Sequence, residues 1–243
     1  MSGMFSDTAS SLMTGEAMYF LSVCKTLPGA VGNKRLLVSG LLTLLIALPC
    51  RAHPHSWIDI KTRILGSDQA ITGLKMEWTF DAMTTAYLFD GEDMSPAQQE
   101  KTLHKLAASV MTNMLSQHYF TYFYDNQTPI RYQSVDTGQL STAKGKATLS
   151  FSLPLAKPYP LNGHKLTLKI FDPTYYVDMS WKDSHDISFA PRLQDHCQQK
   201  LVEPNPTSAQ ISYAMSLPMD ADPDNKLGQL FTQTLELSCK AQS

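Results

Sequence analysis

Residues Ser56 to Leu65 alternate Trp57, Asp59, Lys61 and Arg63 against Ile58, Ile60, Thr62 and Ile64. This period of two predicts a strand with one apolar face. Gly66-Ser67-Asp68 is a turn signal, and Ala70 to Phe80 repeats the alternation through Ile71, Leu74, Met76 and Trp78. The pair therefore reads as a hairpin. Farther on the period becomes helical: Leu103, Leu106, Ala107, Val110, Met111 and Met114 form one stripe, predicting a helix over 96–116. Ser95 is its expected N-cap and Pro96 its first helical residue.

Strands resume beyond it. His118 to Tyr124, Ile130 to Val135, Ala147 to Leu155, Lys165 to Phe171, Tyr175 to Trp181 and Leu230 to Cys239 are rich in aromatic or alternating apolar positions. A short helix fits Ser208 to Met215 inside a Pro- and Asp-rich stretch. Many short strands, one main helix and no βαβ rhythm predict a β-rich, sandwich-like α+β domain.

Upstream of the first strand the pattern changes again. Lys34 and Arg35 precede an apolar run from Leu36 to Leu48, and Cys50-Arg51-Ala52 places small residues around a large one. That order is the layout of a secretory signal cut after Ala52. The run is about 13 residues, short of the roughly 20 that span a bilayer. Pro49 makes Ala47-Leu48-Pro49-Cys50 a poor lipoprotein box. Met1 to Gly32 carries no pattern that predicts structure. Residues 1–52 are thus expected to be removed, leaving 53–243 as a single soluble periplasmic domain beginning His53-Pro54-His55.

The formal charge of the whole chain is −2. The segment expected to be removed carries Lys25, Lys34, Arg35 and Arg51 against Asp7 and Glu16, so the remainder is more acidic. This balance argues against nucleic acid, which needs a basic surface. Cys197 and Cys239 are the two cysteines of the remainder. In an oxidising compartment their natural reading is a disulfide, the alternative being a metal pair of Cys197 with His196.

Several motifs occur together and in order: Ala52-His53-Pro54-His55-Ser56-Trp57-Ile58-Asp59, Trp78-Thr79-Phe80-Asp81, Tyr119-Phe120-Thr121-Tyr122, Leu153-Pro154-Leu155, and Phe171-Asp172-Pro173-Thr174-Tyr175-Tyr176. Leu227-Gly228-Gln229-Leu230-Phe231 leading to Cys239 ends the series. The set resembles a bacterial periplasmic family of unknown function labelled "ABC-type transport system, periplasmic component", over essentially all of residues 53–243. The resemblance implies an accessory of divalent-metal transport, working with an inner-membrane permease of the nickel/cobalt-exporter type or in zinc acquisition. The acidic stretch that many relatives carry after the Trp-x-Phe-Asp strand is reduced here to Asp90, Glu92 and Asp93.

The residues suggest how such a protein would hold an ion. Pro54 favours an extended conformation before it, and residues two apart in an extended segment point to the same side. The imidazoles of His53 and His55 could therefore share one ion, and imidazole suits zinc, nickel, cobalt and copper. Asp59 has the same parity and is the expected third ligand. Zinc is the first expectation, with nickel, cobalt and copper as alternatives. Asp172 and Asp178 flank the Pro-Thr-Tyr-Tyr turn, where Asp172 reads as a turn former. His185 with Asp183 and Asp186 reads as a solvated turn, and His104, His118 and His164 as surface residues. No G-x-S-x-G, H-E-x-x-H, P-loop or C-x-x-C motif is present, so no enzyme is expected. Two rival readings remain open: a metal-free docking module using aromatics such as Tyr175 and Tyr176, and a copper redox protein using an N-terminal His53.

Overall fold

In the computed structural model the described residues are 54–217 and 226–241. The extension and signal read in 1–52, and His53, lie outside them. Strands β1 (Ser56–Gly66) and β2 (Ala70–Phe80) form the expected antiparallel hairpin, in register from Ile58 opposite Phe80 to Leu65 opposite Gly73. Ile58, Ile60, Thr62 and Ile64 are buried, whereas Trp57, Lys61 and Arg63 face outward, as a pleated strand with one covered face requires.

Helix α1 (Ala82–Phe89) follows at once, where the sequence pattern gives no helix. Its cause is Asp81. The carboxylate accepts the N–H groups of Met83 at 2.8 Å and Thr84 at 2.9 Å, leaving fewer unpaired donors in the first turn. The same carboxylate accepts Trp57 N–H at 2.9 Å and the Thr84 hydroxyl at 2.5 Å. Asp81 thus ties the start of β1 to the start of α1.

Helix α2 (Gln99–Leu115) buries Leu106, Ala107, Val110, Met111 and Met114 as the stripe predicts. It begins three residues later than its sequence signals. Ser95 is not its cap: the Ser95 carbonyl accepts Gln98 and Gln99 N–H in a preceding turn, and the N-cap position falls on Gln98. Pro96 lies in that turn. Of the short acidic stretch, Glu92 pairs with Lys105 at 2.9 Å and Asp93 accepts Ser95 N–H.

The next segment departs most from the strand reading that its aromatic residues suggest. His118, Tyr119 and Phe120 all take positive φ, at 51°, 56° and 52°. They form a left-handed turn before β3 (Thr121–Asp125). Tyr119 is buried, and its hydroxyl is hydrogen-bonded to the carbonyl and N–H of Val135. That anchoring holds a backbone shape that costs about 1–2 kcal/mol per residue in isolation. The strand expected at 130–135 is absent: only β4 (Thr128–Pro129) and an isolated bridge from Tyr132 to Leu155 form there.

Strands β5 (Gln139–Ala143), β6 (Lys146–Pro160), β7 (Lys165–Ile170), β8 (Val177–Ser180) and β9 (Ile187–Phe189) come next. They are followed by α3 (Pro191–Gln194), β10 (Cys197–Val202), α4 (Ser208–Ser216), α5 (Gly228–Phe231) and β11 (Thr234–Cys239). Helix α4 carries the capping box of Thr207 and Gln210. The last strand is shorter than its pattern because residues 228–231 are helical.

Six strands make one sheet in the order β5-β6-β2-β1-β8, with β9 also pairing β1; the other sheet runs β10-β11-β7-β3-β4. Each has one buried face. Trp78, Met76, Leu149 and Leu153 fill that of the first, and Phe123, Leu168, Leu235 and Leu237 that of the second. The architecture is the β-rich α+β class expected. Cys197 and Cys239 stand opposite each other on β10 and β11 and form the expected disulfide. Among the described residues no helix is long and apolar enough to cross a membrane.

The bridge spans 42 residues, so replacing both cysteines with alanine should cost roughly 4 kcal/mol in the chain-entropy model, read from the shift in urea midpoint. Asp81→Ala should cost about 1–2 kcal/mol. Burial alone would raise the Asp81 carboxyl, but bonds from Thr84, Trp57 and Met83 outweigh it and hold it below the usual range. Its stabilisation is therefore present above the unfolded-state value near 3.9 and is lost as pH falls through the lower folded value. Unfolding measured from pH 6 to 2 should show this loss in the wild type and a shallower slope in Asp81→Asn.

Candidate functional site

The sequence singled out the approach to β1, and the structure gives it a partner. β8 pairs with β1 in parallel, placing Ser56 beside Val177, Trp57 beside Asp178, Ile58 beside Met179 and Asp59 beside Ser180. The pairing extends back to His55, whose N–H donates to the Tyr176 carbonyl at 2.9 Å. The His55 and Tyr176 rings lie 4.6 Å apart at 35°. His55 is half-buried, so the second histidine of the motif has a set position on the sheet.

What brings Tyr176 there is the turn before it. The Asp172 carboxylate accepts the N–H and hydroxyl of Thr174 and the N–H groups of Tyr176 and Val177, all at 2.8–3.1 Å. This confirms Asp172 as the turn former. Tyr175 within the turn has φ 58°, and its ring stacks on Phe231 of α5 at 4.2 Å and 11°. Gly228 of α5 donates its N–H to the Pro173 carbonyl. A Cβ on Gly228 would lie 1.9 Å from the Asp172 carbonyl oxygen, so only glycine permits this approach.

Asp59 shares the outer face with His55, as parity predicts, but its carboxylate is paired with the Lys182 ammonium at 2.9 Å. That hydrogen bond and the charge of Asp59 hold Lys182 above the ordinary lysine range. At about 3.3 Å of rise per residue, His55 and Asp59 are roughly 13 Å apart at Cα, too far for one small ion to bridge. Asp178 is nearer. It lies diagonally across one strand spacing, roughly 8 Å from His55 at Cα. Its side chain is half-buried, and no described residue donates a hydrogen bond or an ion pair to it. Desolvation pushes its carboxyl up. Burial and the Asp178 charge together push Tyr175 up to about 12. Sequence reasoning named Asp178 only as a flank of the turn, because its neighbourhood with His55 depends on the β1–β8 pairing.

The remaining histidine sites resolve locally. His185 contacts Asp183, which caps a short 3-10 turn, and Asp186 accepts Lys182 N–H. His164 contacts Asp125 at 2.9 Å, beside a Tyr159 hydroxyl bonded to the same oxygen. His104 and His118 are exposed. Among the described residues no three His, Cys, Asp or Glu side chains converge as a ligand set. A shallow groove of about 400 Å³ lies against α1, lined by Ala82, Thr85, Ala86, Phe89, Met94 and Lys144 among others. It offers one amine and neither carboxylate nor imidazole.

Substituting Gly228→Ala should push α5 off the turn and destabilise the protein by roughly 1–3 kcal/mol, read from its urea midpoint.

Residues 38–239 match the family described as a protein of unknown function (DUF1007). An uncharacterized protein of Haemophilus influenzae is 34% identical over 203 residues, covering 82% of this chain and 97% of that protein. Neither match assigns a transport role. The extent of the family match and the identity to that relative place the chain by sequence: it belongs to the DUF1007 family.

Proposed function

We propose that this protein is a periplasmic accessory domain that binds a divalent transition-metal ion at its His-Pro-His corner. It passes the ion to an inner-membrane permease of the nickel/cobalt-exporter type. The observation that carries this reading is the fixing of His55: its backbone is paired to Tyr176 and its ring lies on the Tyr176 ring. A frayed polar start would have neither contact. An imidazole positioned by a sheet is held more precisely than one on a free loop, and imidazole favours zinc, nickel, cobalt or copper over calcium or magnesium. The protein acts here as a carrier and not as a catalyst.

A second reading is favoured by the large apolar side chains around the same corner. Trp57, Met83 and Tyr87 are 48%, 51% and 53% exposed, and Met83 and Tyr87 lie one turn apart on α1, on one side of the helix. Such a rim suits a protein contact, so this corner would be a metal-free dock on the permease.

The readings separate on the exported protein stripped of metal. Native mass spectrometry with added zinc, nickel or copper should show one ion retained by the wild type and none by His53→Ala/His55→Ala, with unchanged circular dichroism. A wild type that retains no ion defeats the carrier reading and leaves the docking one. Cu(II) retention that disappears when one residue is added before His53 would favour the redox alternative.

A further inference from the structure

We propose that Asp178 is the carboxylate ligand that joins His55 in holding the ion. The inference rests on the metal-carrier reading and replaces Asp59 in it.

Three observations support it. The β1–β8 register sets Asp178 directly beside Trp57 and one diagonal step from His55, on the outer face of the sheet. His55 to Asp178 is the shorter span, and Asp59 is already neutralised by Lys182. Asp178 is also an incompletely compensated charge. It is half-buried near Trp57 and Tyr175, and no described residue donates to it. Withdrawing a carboxylate from water without a donor or counter-charge is unfavourable, and a bound cation would remove that cost. Asp172, six residues earlier, shows what a satisfied aspartate looks like here, with four donor groups around it.

The donor set also selects the ion. Imidazole with one carboxylate suits zinc, nickel or cobalt. Calcium and magnesium prefer six or more oxygens. Cu(I) prefers thiolate or thioether sulfur, and both cysteines of the described residues are in the disulfide.

The test is calorimetric titration of the exported protein with zinc, and separately with nickel and cobalt, comparing wild type with Asp178→Asn, Asp59→Asn and His55→Ala. Asp178→Asn should weaken zinc binding at least about tenfold, whereas Asp59→Asn should stay within about twofold of wild type. Thermal unfolding separates a ligand from a structural part. Without metal, Asp178→Asn should melt at or above the wild-type temperature because a desolvated charge is gone. Added zinc should raise the wild-type melting temperature and leave that variant nearly unchanged. Wild-type affinity in Asp178→Asn, with binding lost in His55→Ala, would overturn the Asp178 assignment and keep the carrier reading. Loss in Asp59→Asn alone would restore Asp59. A wild type that binds no zinc, nickel or cobalt would overturn both.

Discussion

The Asp172 carboxylate collects donors from Thr174, Tyr176 and Val177, and this closure turns the chain out of β7 and lays β8 along β1. Pro173 within it has no N–H to place, and its carbonyl receives Gly228 instead. Tyr175, in the left-handed region, stacks on Phe231. The turn, α5 and the first residues of β8 are therefore one packed unit. A side chain at Gly228 or loss of the carboxylate at 172 would disturb all three together.

A second aspartate works from the other side. Asp81 accepts Trp57 N–H while its own N–H donates to the Trp57 carbonyl. Tyr176 accepts the N–H of His55. The backbone around His55 and Trp57 is consequently satisfied by the end of β2 on one flank and by the Asp172 turn on the other. Buried backbone groups seek such partners, and the result is a sheet end that presents side chains outward in fixed order. His55, Trp57, Tyr176 and Asp178 form a small imidazole, aromatic and carboxylate corner for that reason.

Much of this fold was legible in the chain. The alternation in 56–65 and 70–80 named both faces of the hairpin, the stripe ending at Met114 named the buried side of α2, and the cysteine count named the bridge. Helix α1 was hidden because Asp81 ends a strand pattern, and Thr84, Thr85, Tyr87 and Phe89 are weak helix formers. The left-handed turn at His118–Phe120 was hidden because aromatic density reads as strand until Tyr119 finds Val135. β9 and β10 are short or polar and carry little alternation. The site was half legible. Parity along one strand pointed to Asp59, whereas the proximity of Asp178 to His55 comes from a parallel partner distant in sequence, which no local period encodes.

That partner distance governs the order of assembly. β1 closes its hairpin with β2 early in the chain, but its other edge stays bare until Val177 and then Ile187 arrive to pair with Ser56 and Thr62. Such non-local pairing is slow compared with hairpin closure, and an uncovered apolar strand edge invites the wrong neighbour in the meantime. On that basis the corner that holds His55 is expected to close late in assembly. Any ligand that needs this corner can bind only a nearly finished chain, so occupancy would report completed folding as well as supply.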